Sequence, residues 1–334
     1  MNTIQRTIMV LSTLFLLMIP TVHTAAAASK SEYDDKVAVL MYHHMTDGSN
    51  KPNPDIISTT QFNDQLSYLQ QKGYNFISLR QFIDYMNGGS VPPNAVLVTF
   101  DDGYESFSNL AYPILKSKRI PSVAFIITSA TDNKKYGYIP HMTHAELEQV
   151  TADNLAEVQC HTNKLHYKVD NRYDALTARL TVNGVTETDE QHKKRILDDF
   201  AACKDQLAPI NKNPIDTFAY PYGMHDQESM DLVREANIQY AFTVREDIAT
   251  RQSNWLQIPR INGGSPSITP ADLEAAILRT AHPYSKDAII HKTKKFVQQA
   301  PHRKRYWALG FLVLIGIGYM GYRKFRKRSN PFPE

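Results

Sequence analysis

Apolar runs alternate with amphipathic stretches along most of this chain. Short runs rich in β-branched and aromatic residues, at 37–42, 96–100, 122–128, 157–160, 216–220, 240–244 and 257–261, read as strands. Helical spacing appears between several of them. It is seen at 60–72, where Phe62, Leu66 and Leu69 share a face, at 79–86, in a segment that follows Gly103 and ends before Pro121, at 191–207 and at 227–236. Strands and helices in alternation predict a parallel α/β sheet or barrel rather than a sandwich, and seven strands are nearly enough to close a barrel. The stretch 168–189 is polar and irregular, as a surface insertion would be. A helical pattern at 271–279 leads into a polar stalk that ends near residue 305. The barrel itself is therefore expected within 29–270.

The two ends carry a different pattern. Residues 1–28 read as a secretory signal peptide, with Arg6 in a short n-region, an apolar run at 8–20 and alanines at 25–28 offering a cleavage site. A signal anchor kept as a membrane helix is the rival reading. Residues 306–322 hold no charge and are bracketed by Arg303, Lys304 and Arg305 and by Arg323, Lys324, Arg326, Lys327 and Arg328. That length sits at the lower limit of a transmembrane helix, about 17–25 residues. Tyr306, Trp307, Tyr319 and Tyr322 lie where aromatic belts belong, and the denser basic cluster predicts a cytoplasmic tail at 323–334. A buried core helix is the alternative. Together the ends predict a cell-membrane protein whose 29–270 domain is extracellular.

Composition and charge narrow the partners. The formal net charge is +3, but Arg6 contributes +1 and residues 303–334 contribute +7, which leaves −5 on residues 29–302. A nucleic-acid partner is not expected of so acidic a middle. Cys160 and Cys203 are too few for a disulfide framework; two separate buried thiols are expected, a single bridge being the alternative in an oxidising compartment.

Three groups of residues, each at or just past a predicted strand end, carry candidate chemistry. That rim is where parallel barrels build their sites. The strand 96–100 runs into Asp101, Asp102 and Gly103. It can be a plain polar strand end, or one acid can ligate a cation while the other takes a proton from water. His161 and His166 follow the next group, out of phase on a helix but able to meet at one metal from a loop. Alone they would be structural; with an Asp they supply a His, His, Asp set that leaves positions open for water and substrate. The third group, 216–223, ends in Tyr220, Pro221, Tyr222 and Gly223, either a common Pro turn or one that aims a backbone N–H at an oxyanion and sets Tyr222 over a sugar.

The ordered set T-F-D-D at 99–102, H-T-x-x-L-H at 161–166 and Y-P-Y-G at 220–223 resembles the polysaccharide deacetylase family, carbohydrate esterase family 4. The spacing of the two histidines, with Leu165 before the second, is most similar to deacetylases of poly-β-1,6-N-acetylglucosamine. Further similarities lie at 40–44, 241–244 and 257–261, so the likeness spans roughly residues 36–265. It implies a distorted (β/α) barrel and a divalent metal ion, zinc foremost, on Asp102, His161 and His166. It also implies Asp101 as general base, the Tyr222 N–H in the oxyanion hole, and an N-acetylglucosamine polysaccharide as substrate. Many relatives carry an Arg where this chain has Ala219, so what orients Asp101 is left open, and the acidic fourth motif has no clear match, Asp247 lying nearby. For the general acid, His43 after the opening strand is favoured, because first and last strands are neighbours in a closed barrel; His44 and His291 are the alternatives. Peptidoglycan or chitin oligomers are alternative substrates. An Fe(II) oxygenase and a non-catalytic carbohydrate-binding protein are readings from other classes.

Overall fold

The computed structural model describes residues 31–48 and 56–299. The expected signal peptide at 1–28, the expected transmembrane span 306–322 and the expected tail 323–334 fall outside them. Among the described residues no helix is long and apolar enough to cross a membrane.

In chain order the strands are β1 (Val37–Tyr42), β2 (His44–Thr46), β3 (Ile56–Ser58), β4 (Asn75–Phe76), β5 (Ala95–Phe100), β6 (Ser122–Ile126), β7 (Ala156–Cys160), β8 (Thr181–Val182), β9 (Val185–Thr186), β10 (Thr217–Ala219), β11 (Tyr240–Phe242) and β12 (Ile261–Asn262). The helices are α1 (Thr59–Gln71), α2 (Leu79–Met86), α3 (Tyr112–Lys118), α4 (His144–Thr151), α5 (Asp189–Leu207), α6 (Gln227–Glu235), α7 (Pro270–Ala281) and α8 (Lys286–Gln299). The main sheet runs β11-β10-β7-β6-β5-β1-β12, with β4 beside the start of β5, and every pairing in it is parallel. Six of the expected seven strands lie on this path, and the seventh reaches it only through Ile261.

The last of them differs from expectation. Pro259 has no N–H to give a ladder, so 257–261 is not one strand. Instead Ile258 bridges Phe242 of β11 while Ile261 pairs with Leu40 of β1. One short segment thus touches both edges of the sheet. The insertion at 168–189 carries the small exposed hairpin β8–β9, and the segment after Gly103 is a π-helical turn, Phe107–Ala111, that leads into α3.

Alternation along the strands divides the core in two. Ala38, Leu40, Val96, Val98 and Val158 face outward onto Phe62, Leu66 and Leu69 of α1 and Ile196 and Phe200 of α5. Val37, Val39, Leu97, Phe125 and Phe242 face inward onto Leu79, Phe82, Tyr85 and Met86 of α2. Helix α2, started by a capping box on Ser78 and Gln81, therefore closes the mouth at the N-terminal ends of the strands. Burial of its four apolar side chains contributes about 1.5–3 kcal/mol each. Arg80 on the same helix donates to Glu157 and Asp216 at 2.6–3.2 Å.

Cys160 and Cys203 form a disulfide, which corrects the expectation of two separate thiols. Packing of α5 on β7 brings their Cα atoms to 6.1 Å, within bridging range. The bond fastens the end of β7 immediately before His161.

Candidate active site

Strand β5 delivers the two acids. Asp101 continues the ladder, its N–H donating to the Tyr42 carbonyl at 2.9 Å. Asp102 then turns away at φ +72°, and Gly103 follows at φ +77° with little room for a Cβ, which would lie 3.1 Å from Ile126 Cδ1. A left-handed non-glycine residue costs about 1–3 kcal/mol, and such strain gathers at functional sites. Thr162 at φ +76° and Tyr222 at φ +56° share it.

The histidine loop is held by α5. Asp199 accepts from the Asn163 and Lys164 N–H groups at 2.8 and 2.7 Å, and the disulfide fixes the residue before the loop. His161 and His166 both aim Nε2 at Asp102 Oδ1, at 3.3 and 3.2 Å, and the three ligand atoms lie within 4.8 Å of one another. His161 Nδ1 donates to the Ala219 carbonyl at 2.7 Å, which leaves Nε2 as the ligating nitrogen. Burial, followed by the charge of His161, pushes the His166 pKa down to about 4, so that its ring is neutral as a ligand must be. Burial would raise Asp102, but hydrogen bonding and charge from the two histidines hold it well below the usual range. Burial would lower His161, yet the Asp102 carboxylate raises it above its ordinary value. Two imidazoles and a carboxylate converging in this way fit a divalent metal.

Arg260 answers the question of what orients Asp101. Its Nη1 and Nη2 donate to Oδ1 and Oδ2 of Asp101, both at 2.7 Å, Nε donates to the Thr243 carbonyl at 2.9 Å, and Nη1 also reaches Thr99 Oγ1 at 3.3 Å. Arg260 is 0% and Asp101 3% exposed. Burial would raise the Asp101 pKa, but the guanidinium charge and bonds outweigh it and keep the carboxylate ionised. The sequence signal was a lone cation in the run 257–261, read as a strand and as a point of family likeness with no role given to Arg260.

A cavity of about 380 Å³ opens above these groups, lined by His43, His44, Tyr104, Ile139, Tyr222 and Val244 among others. His43 Nε2 lies 3.7 Å from Asp101 Oδ2. His44 also lines the cavity, with Nδ1 2.9 Å from Ser106 Oγ. His291 is on α8 in a separate cavity with Arg279 and Lys292, and Asp247 pairs there with Arg245 at 2.8 Å. Neither lines the metal-ligand cavity. Tyr222, 40% exposed, sets its ring 4.8 Å from His166 with Lys168 Nζ 4.8 Å from its centroid.

The polysaccharide deacetylase family model matches residues 88–241. Those residues form a polysaccharide deacetylase domain. The match takes in Asp101, Asp102, His161, His166 and Tyr222 but not His43 or Arg260, which the fold of the deacetylase domain brings in from either side of it. A poly-β-1,6-N-acetyl-D-glucosamine N-deacetylase of Staphylococcus aureus (strain MSSA476) is 28% identical over 274 residues, covering 76% of this chain and 90% of that protein. Among solved structures, IcaB from Ammonifex degensii is similar at 26% identity and a TM-score of 0.59, with 73% of this chain and 97% of that one covered. The BpsB deacetylase domain from Bordetella bronchiseptica is similar at 25% identity and 0.60, covering 69% and 97%.

Proposed function

We propose that this protein is a metal-dependent N-deacetylase of an extracellular N-acetylglucosamine polymer, poly-β-1,6-N-acetylglucosamine foremost, and that it releases acetate. The observation that carries the reading is the Asp102, His161, His166 set beside an Asp101 clamped by Arg260 in one cavity. The names of the relatives support the polymer.

Asp102, His161 and His166 would hold a divalent ion, zinc foremost, which would supply Lewis-acid polarisation of the acetamide and acidify water. The chain's own groups do the rest. Asp101, ionised and fixed in orientation by Arg260, takes the proton of the attacking water. The Tyr222 N–H donates to the oxyanion as the acetyl carbon becomes tetrahedral. His43 gives a proton to the glucosamine nitrogen, so that an amine rather than an amide anion departs. The Tyr222 ring flanks the sugar. An oxygenase would have no use for the second, clamped acid.

The location belongs to the same proposal. The apolar run at 8–20, the alanines at 25–28 and the uncharged 306–322 between basic clusters support export and a C-terminal membrane tether. Protease added to cells without a wall should then digest the catalytic domain and spare the tail; intact protein in the soluble cytosol would refute the tether.

The deciding assay is acetate release by the purified full-length protein from β-1,6-linked, chitin and peptidoglycan oligomers, before and after chelation and return of zinc. Release from the β-1,6-linked substrate that vanishes on chelation and recovers with metal is expected. Faster release from either other class overturns the polymer, and activity indifferent to chelation overturns the metal.

A further inference from the structure

The turn that carries Tyr222 is braced from behind by two residues outside the chemistry described above. His225 Nδ1 lies 2.9 Å from the Gly223 carbonyl. A carbonyl only accepts, so Nδ1 carries the proton and Nε2 accepts, from the Gln257 side-chain amide at 3.0 Å. Gln257 is oriented in turn by Asn254, whose Nδ2 donates to Gln257 Oε1 at 3.3 Å. The imidazole stacks on buried Tyr220, centroids 4.9 Å apart and planes at 28°.

The turn needs such a brace. Tyr222 at φ +56° and Gly223 at φ +69° are successive left-handed residues, and the first costs about 1–3 kcal/mol that only its surroundings can hold. Gly223 is pressed on Val244, which a Cβ would strike. Pro221 fixes the chain before Tyr222, and His225 fixes the carbonyl after it. Gln257 also stands three residues before Arg260, the residue that clamps Asp101.

We propose that His225 and Gln257 are positioning residues for the hydrolytic reaction. Through them, residues 257–260 fix the Tyr222 N–H and the Asp101 carboxylate in one frame against the same substrate carbon. This rests on the deacetylase reading of the site.

The test compares His225→Ala, His225→Asn, Gln257→Leu and Gln257→Glu in the full-length, zinc-loaded protein on a β-1,6-linked N-acetylglucosamine oligosaccharide. His225→Ala and Gln257→Leu should each lower kcat by about 10–100-fold, the scale of a misplacement near 1 Å, with KM and bound zinc unchanged. The double variant should be no worse than either alone, because one brace is being removed twice. His225→Asn, whose amide can still donate to the Gly223 carbonyl, should recover most of the loss. Gln257→Glu should do the same, since its carboxylate accepts from a protonated Nε2. Unchanged kcat, losses in KM alone, or additive losses in the double variant would overturn the proposal. If His225→Ala does not fold, the contrast between Gln257→Leu and Gln257→Glu decides. A wild type that releases no acetate refutes the deacetylase reading instead. The brace is then judged by crystal structures of the wild type and Gln257→Leu, where an unmoved turn at 220–223 overturns it.

Discussion

Replacing Arg260 with Met would keep much of the side chain's apolar bulk while removing every donor it places around Asp101. What remains is a carboxylate 3% exposed, stripped of two bonds of 2.7 Å, together with a Thr243 carbonyl that has lost its 2.9 Å donor. Breaking a buried pair from one side costs about 3–5 kcal/mol, because the surviving charge is left in a medium that cannot solvate it. With a urea m value of about 3 kcal/mol/M, the unfolding midpoint should fall by about 1–2 M. The measurement is urea denaturation at saturating zinc, followed by fluorescence. Turnover should fall as well, since Asp101 loses the fork that aims it. Asp101→Asn combined with Arg260→Met should regain part of the lost stability, because a neutral amide tolerates the site better than an unpaired carboxylate. A single Arg260→Met variant with a wild-type midpoint and wild-type turnover would refute both the structural and the chemical role given to the pair.

Asp101→Asn alone should retain zinc at full occupancy and lose about 10²–10⁴-fold in turnover, as general bases do; near-normal turnover would remove Asp101 from the base position. Of the three histidine variants, His43→Ala should lose turnover with metal retained, whereas His291→Ala, in its separate cavity, should leave turnover unchanged. His44→Ala, which loses the bond to Ser106, should have the intermediate effect, and the reverse ranking would move the acid to the C-terminal helix. Cys160→Ala with Cys203→Ala opens a crosslink between residues 43 apart in sequence, which in the chain-entropy picture is worth about 4 kcal/mol. Thermal unfolding of that double variant should show the loss, with reduced zinc retention because the bond anchors the histidine loop; an unchanged melting temperature would deny the crosslink any such role.

Legibility in the sequence followed the range of the interaction. Strands buried on both faces leave unbroken apolar runs, which is why 37–42 and 96–100 stood out. Asp101, Asp102, His161 and His166 sit where such runs stop, so position along the chain was enough to nominate them. His43 came from the same logic applied to a ring, and its 3.7 Å approach to Asp101 follows from β1 lying between β5 and β12. Arg260 was out of reach because its partner is far away in sequence and Pro259 disguised a bridge and a turn as one strand. The disulfide was out of reach because two cysteines say nothing about which helix packs on which strand. Asp247, noted beside an acidic motif that had no clear match, pairs with Arg245 in the separate cavity.

Helix α2, set across the N-terminal mouth, gives the chamber a floor opposite the cavity that holds Asp102. A polysaccharide cannot be threaded through such a ring as through a pore. It has to lie across the rim and dip one acetamido branch at a time toward Asp102, its backbone staying outside. Nothing in that geometry demands a chain end. Interior units of a long strand are then expected to be reached as well as terminal ones.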